Sequence, residues 1–330
     1  MELISVVIPV YNGAKTIKET IESVLQQTYS HFEVIVINSD STDGTLEIVS
    51  SIQDERIKIY NYPKGNAAVN RNRGLTHVSG EFISFLDADD LWTPDKLEAQ
   101  HKALKENTQA GVAYSWTDAI NESGKYLGEF NHAIWEGDVY TKVLLQNFLG
   151  SGSNIMVYKA ILARVGGFNE SLIYYTEDID IYIRLAAITN FTCVPKVQIL
   201  YRIHPNSMSS NILAMEASRL QVIQSAFKDK KAASLQHLKP QAVANYYKYL
   251  CYKTLDVAPG KQNNLVVGRI LWQTVKTDPK LLQKRVIYKA WLKFAVMVLL
   301  PTPLANLLMN KFPSLFNMKT IFGYVKIDYD

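Results

Sequence analysis

The sequence predicts an α/β fold: a mostly parallel central sheet with helices on both faces, followed by a mainly helical C-terminal region. Three observations carry this. Between residues 4 and 60, short β-branched runs alternate with apolar positions at helical spacing, the order of a doubly wound parallel sheet. A fourth apolar run, Phe82 to Leu86, shows no polar alternation, so it reads as a strand buried on both faces. From Ile212 onward the pattern turns helical, and no strand signal interrupts it before Gly323.

Residues 4–10 form the first strand and end in the turn Pro9-Val10-Tyr11-Asn12-Gly13. Ile17, Ile21, Val24 and Leu25 then mark a helix within residues 14–27. Residues 32–37 are a second strand. The polar cluster Asn38-Ser39-Asp40-Ser41-Thr42-Asp43-Gly44 follows it and caps a helix over residues 45–51. Residues 57–60 are a third strand. Right-handed crossovers place these strand ends on one rim, where open α/β sheets bind their ligands.

The fourth strand delivers Asp87, Asp89 and Asp90 to that rim. Asp87 and Asp89, two residues apart, can share one hard cation. The plainer reading is a solvated loop capping a helix that starts near Pro94, with Asp90 or Thr93 as N-cap. Just upstream, the small-residue segment 65–74 carries Arg71 and Arg73. The planar arginine fork suits a diphosphate, although two solvated arginines would look the same in sequence.

Beyond Trp92 the pattern gives a helix to about residue 106, a strand over residues 110–119 and a stretch to residue 137 without clear periodicity. The small-residue run 150–154 precedes a strand at 155–158. A Gly166-Gly167 turn then leads to a helix that opens with Tyr174-Tyr175-Thr176-Glu177-Asp178 and runs through Leu185. Acids in a first helical turn are explained by capping alone. Residues 190–204 read as a strand pair ending in YRIHPNSMS.

Composition bounds the class. With 48% hydrophobic and 20% charged residues the chain is an ordinary globular protein. Two cysteines, Cys193 and Cys251, are too few for a disulfide framework and fit a reducing compartment. The start, MELISVVIPVYN, lacks a basic n-region, and the longest apolar run, Phe294 to Leu300, is too short to span a bilayer. A cytoplasmic location is expected. Residues 1–210 hold 17 Lys and Arg against 25 Asp and Glu, whereas residues 211–330 hold 18 against 6. The acidic front argues against nucleic acid as a partner. In the basic tail Arg285, Lys289 and Lys293 fall on one helical face beside Trp291 and the apolar run, the pattern of an element lying on the inner face of an anionic membrane. A helical domain with a solvated basic face is the alternative, and a homodimer through the tail is left open.

Several segments in order, SVVIPVYNGAKTIKETIESVLQQTY, VIVINSDSTDGTLEIV and NRNRGLTHVSGEFISFLDADD, together resemble family 2 glycosyltransferases of the GT-A fold. The resemblance covers about the first two-thirds of the chain. It implies a catalytic domain over residues 1–210, with a nucleotide-sugar half (1–95) and an acceptor half (96–210), ahead of a basic helical region over 211–330. It also implies an inverting glycosyltransferase that uses a nucleotide diphosphate-sugar, a Mn²⁺ or Mg²⁺ ion and a saccharide or lipid-linked acceptor.

Carried over by position, Pro9, Tyr11, Asn12, Ser39, Asp40, Arg71, Asp87, Ala88 and Arg202 match the nucleotide-sugar side. Asp89 with Asp87 matches the metal-binding DxD motif, and His204 matches a further ligand from a loop over the donor. GGFNE followed by TEDID resembles the acceptor-side segment that supplies the base, here Asp178 with Glu177 as supporting acid. One departure is Asn38-Ser39 where the family often has two acids, which leaves UDP as the default and dTDP or GDP open. That departure is also the sequence support for an alternative, a nucleotide-sugar-binding protein without transfer activity. A dinucleotide-dependent oxidoreductase is set aside, since no Gly-x-Gly-x-x-Gly turn follows the first strand.

Overall fold

The computed structural model describes residues 1–172, 176–204, 211–256 and 263–327. The chain divides into two compact units, Met1–Val143 with Asn147–Ser210, and Leu144–Gln146 with Asn211–Asp330.

In the first unit β1 (Ile4–Val10), α1 (Ile17–Leu25), β2 (Phe32–Asn38), α2 (Thr45–Ser51), β3 (Ile57–Asn61), α3 (Ala67–Leu75) and β4 (Phe82–Phe85) alternate as the periodicity predicts. β1 pairs in parallel with β2 and β4, and β2 with β3, so their carboxyl ends share one rim. Every residue of β2 and β4 is buried, which is why these strands carry no polar alternation.

The rest of this unit comprises β5 (Leu91–Trp92), α4 (Lys96–Glu106), β6 (Ala110–Ile120), β7 (Tyr126–Asn131), α5 (Tyr140–Leu145), β8 (Met156–Tyr158), α6 (Lys159–Arg164), α7 (Glu177–Ala186) and β9 (Asn190–Arg202). The sheet runs β3-β2-β1-β4-β8-β6-β9-β5, with β7 on β6. β8 is antiparallel to β4 and β6, and β5 to β9. Parallel pairing is thus confined to β1–β4 and to β6 with β9, and the sheet is more mixed than its first half suggests.

Three local expectations change. The helix after the acid run starts at Lys96 with Asp95 as N-cap, so neither Asp90 nor Thr93 caps it. Residues 190–202 form one strand: opposite β6, the register steps from Val194 to Val197, so Pro195 and Lys196 bulge out and mimic a break. The aperiodic stretch hides β7, a hairpin partner of β6 whose residues are exposed or half-buried and therefore do not alternate.

The second unit is helical: α8 (Ile212–Ala226), α9 (Lys239–Leu255), α10 (Asn264–Thr277), α11 (Arg285–Leu299), α12 (Thr302–Lys311) and α13 (Pro313–Phe316). Leu250, Cys251 and Leu255 of α9 meet Val267, Ile270 and Leu271 of α10 and Ile287 and Ala290 of α11 in one core. Tyr246, Tyr247, Tyr249 and Tyr252 all pack there, as expected of core tyrosines. The predicted cationic stripe does not face outward as a unit. Lys293 is buried with its Nζ donating to the Phe316 carbonyl at 3.1 Å, and Lys289 donates to the Ser314 carbonyl at 3.1 Å. α11 is apolar on both sides, so periodicity alone did not fix which side packs. Among the described residues no helix is long and apolar enough to cross a membrane.

Candidate active site

The site grows from the end of β4. The Leu86 amide donates to the Val7 carbonyl, extending the β1–β4 pairing by one step before the acids begin. Two threonines of α1 then hold the turn. Thr16 Oγ1 donates to the Ala88 carbonyl at 2.8 Å, and the buried Thr20 Oγ1 reaches the Ala88 and Asp90 carbonyls at 3.0 Å each. With its backbone carbonyls satisfied, the turn can present its carboxylates in fixed directions.

Each acid faces a different environment. Asp87 accepts from Arg71 Nη2 at 2.6 Å, and its amide donates to Ser153 Oγ at 3.0 Å. Asp89 is the most open: its side chain is 37% exposed, and Oδ2 lies 3.3 Å from His204 Nε2. Burial and the Asp87 charge raise the Asp89 pKa, and His204 works against them. Asp90 is fully buried. It accepts from Ser151 Oγ at 3.0 Å, Ser153 Oγ at 2.6 Å and the Arg202 amide at 2.9 Å. Burial first, then Asp89 and Asp87, push its pKa well above the usual carboxylate range.

Arg71 joins the two acidic clusters read from sequence. It is buried on α3, whose N-cap Asn66 accepts from the Val69 amide. Nη2 holds Asp87, and Nη1 holds Glu177 at 2.5 Å in the first turn of α7. Burial opposes the guanidinium charge, but Asp87 and Glu177 outweigh it and its pKa is raised, with Asp178 adding to the effect. The fork holds two protein carboxylates, so Arg71 is not the solvated arginine that the sequence left open beside a diphosphate binder.

The turn before α7 is tied to the same helix. Asn72 Nδ2 donates to the Phe168 carbonyl at 2.9 Å, and the Phe168 amide donates back to Asn72 Oδ1 at 2.8 Å. Gly167 has φ 72°, and an added Cβ would stand 2.7 Å from Asn72 Oδ1, so glycine is required twice over. Asp178 follows Glu177 and is half-buried, with Oδ1 accepting from the Ile179 amide at 2.7 Å. Gly152 passes so close to the cluster that a Cβ would lie 2.8 Å from Arg71 Nη2 and 3.3 Å from Asp87 Oδ2.

The nucleotide-side residues lie at the ends of β1 and β2. Pro9 is half-buried in register with Ile37, and Tyr11 is exposed. Lys64 Nζ sits 4.2 Å from the Tyr11 ring centroid and donates to its hydroxyl at 3.0 Å. Asn12 and Asp40 both take positive φ, 52° and 60°. Asn12 Oδ1 accepts from the Thr42 amide, which ties the two loops together. Ser39 is buried, and its Oγ accepts the Gly65 amide at 2.9 Å.

Arg202, matched by position to the nucleotide-sugar side, is engaged by protein acceptors. Its guanidinium donates to the carbonyls of Asp89, Asn121 and Glu122 and to Glu19, so it braces the acid turn from behind. Of the YRIHPNSMS segment, residues 205–209 lie outside the described residues. Among the described residues no three His, Cys, Asp or Glu side chains converge as a ready-made metal cage.

Lys64, Asp90, Gly152 and Ser153 were not assigned to the site by sequence reasoning. The small-residue run 150–154 was the available signal for the last two, because loops that must pass close to a charged cluster favour small side chains.

A family model described as glycosyltransferase like family 2 matches residues 5–254. The chain belongs to this family. An E. coli relative, the UDP-Glc:alpha-D-GlcNAc-diphosphoundecaprenol beta-1,3-glucosyltransferase WfaP, is 33% identical over 221 residues, covering 64% of this family 2 chain and 81% of the relative. An uncharacterized glycosyltransferase of Rickettsia bellii is 40% identical over 142 residues, and the match spans only 20% of that protein's length. Among solved structures, S. aureus TarS 1-349 in complex with UDP-GlcNAc superposes with a TM-score of 0.62 at 19% identity, covering 98% of this chain and 91% of that one. That likeness shows the GT-A fold.

Proposed function

We propose that the protein moves a sugar from a uridine diphosphate-sugar to a hydroxyl of a lipid-linked saccharide, with inversion at the anomeric carbon. The observation that carries this reading is Arg71 held between Asp87 and Glu177, because it brings the acid turn and the first turn of α7 around one point. Stabilisation of a leaving diphosphate and a proton acceptor are needed at one place, and the acid turn can offer the first and the start of α7 the second. The named activity of WfaP and the UDP-GlcNAc bound by TarS support the choice of donor and acceptor class.

A divalent cation fits the acid turn. Asp89 is the exposed one of two acids, with Asp90, whose ionised forms burial and neighbouring carboxylates disfavour, and a cation offsets that repulsion. Asp89 and His204 would hold it, with donor phosphate oxygens completing its shell; when bound, it supplies Lewis-acid stabilisation of the leaving diphosphate. Asp87 faces the ribose side. Tyr11, braced by Lys64, offers a face to the nucleotide base. Asp178 takes the proton from the attacking hydroxyl, and Glu177 holds Arg71 in place.

The test compares Asp178→Asn with Asp89→Ala. Asp178→Asn is expected to lower transfer by about 100-fold or more while UDP-sugar still raises the melting temperature. Asp89→Ala is expected to lose the Mn²⁺-dependent part of that thermal shift. Near-native turnover by Asp178→Asn would remove the base assignment.

A further inference from the structure

α11 buries Val286, Ile287, Ala290, Val296 and Met297, with Lys293 among them, and is apolar where it faces out as well. Tyr288, Leu292, Ala295 and Leu299 stand at i, i+4, i+7 and i+11, so they share one helix face. Tyr288, Leu292 and Leu299 are exposed, Leu299 by 76%, while Lys293 is buried on the other side. α12 continues the pattern with exposed Leu304 and Leu307. A single exposed leucine is ordinary, but a run of this kind over two consecutive helices marks an interaction surface.

The charges around it select the partner. Residues 279–327 contain eight Lys and Arg and no Asp or Glu. Lys284 and Arg285 are exposed at the start of α11, at the edge of the apolar face. A second copy of this chain would set cations against cations across such a face. A nucleic acid would neutralise the lysines but leave the leucines in water. An anionic lipid leaflet satisfies both, since phosphates take the rim cations and the acyl boundary takes the apolar side chains. Exposed Trp291 next to Leu292 suits the same boundary, with an apolar ring and one polar N–H.

We propose that the outward face of α11 and α12 seats the helical unit on an anionic lipid surface, with Leu292 and Leu299 inserted and Lys284 and Arg285 on headgroups. This surface differs from the cationic stripe that periodicity suggested, because Lys289 and Lys293 are tied to backbone carbonyls. It is independent of the catalytic proposal, which rests on the first unit.

The test is co-sedimentation of the full chain with vesicles of equal parts phosphatidylglycerol and phosphatidylcholine, and with phosphatidylcholine alone. Binding is expected to the anionic vesicles and to weaken as salt is added. The double variant Leu292→Glu/Leu299→Glu is expected to bind about tenfold more weakly or worse, with an unchanged circular dichroism spectrum and melting temperature. Lys284→Ala/Arg285→Ala should weaken binding and reduce its salt dependence. Absence of binding to anionic vesicles at low salt would overturn the proposal. So would leucine variants that bind like the parent, or leucine variants that only turn a dimer into a monomer.

Discussion

Glu177, Arg71, Asp87, Asp90 and Arg202 of the α/β unit are linked through shared partners, with Ser153 completing the chain between Asp87 and Asp90. In the helical unit two buried lysines are handled singly. Lys248 is paired with Asp278 at 2.9 Å, and Lys293 with one backbone carbonyl. Both units bury charge, at a desolvation cost of several kcal/mol per ion. In the first, the cost is shared by a network that fixes two acid-bearing turns relative to each other. In the second, Lys248 and Lys293 each pin one pair of elements.

The largest effect that would break this contrast is expected at Arg71. Arg71→Met leaves Asp87 and Glu177 without their shared cation, and removing one partner of a buried pair costs about 3–5 kcal/mol. Arg71→Lys keeps the charge but not the fork, so it should recover only part of the loss. Urea unfolding followed by tryptophan fluorescence checks this. If Arg71→Met stayed within about 1 kcal/mol of the parent, the pairs would be behaving as solvent-screened surface pairs, and the network would carry no weight.

How much of this was legible in the sequence depended on the range of the interaction. β1, β2 and β4 could be read because strands buried on both faces leave uninterrupted β-branched and aromatic runs. Asp87 and Asp89 could be read because they follow such a strand. Arg71 was found, but its partners were not: Glu177 lies 106 residues away, and only the fold brings them together. Asp90 was read by the local rule for helix caps, which carries no information about Ser151 and Ser153 closing over it from a distant loop. In the tail, periodicity placed Lys293 correctly on a face and could not say whether that face was inside. Local rules succeeded where burial was uniform and failed where one side chain answered to a distant partner.

A smaller effect of opposite sign sharpens the comparison within the first unit. Lys96 is fully buried on α4 outside the network; its Nζ donates to Ser84 Oγ at 3.1 Å and stands 3.7 Å from the centroid of a Trp92 ring. Burial pushes its pKa well below the usual 10.5. The unfolded chain keeps this proton up to about pH 10.5 and the folded chain releases it earlier, so stability rises with pH between the two values. The cation–π contact returns about 2 kcal/mol of a burial cost of several, so Lys96→Met is expected to stabilise by about 1–3 kcal/mol near neutrality. That gain should shrink as the pH climbs toward 10.5. A variant that is destabilised at neutral pH would place Lys96 among the groups the fold depends on, and would blur the distinction between converging and isolated charge.

The smallest expected effect is an interaction energy near zero. Lys248 and Lys293 share no partner: one answers to Asp278 and the other to the Phe316 carbonyl. Replacing each by Met should therefore change stability independently, and the double variant should equal the sum of the singles within about 0.5 kcal/mol. Arg71→Met combined with Asp87→Asn should not add in this way, because each change removes part of what the other disrupts. The two cycles, measured under the same conditions, read the difference between the two arrangements directly. Strong coupling between Lys248 and Lys293 would mean that these two lysines too belong to a connected network, and isolated ties would no longer distinguish them.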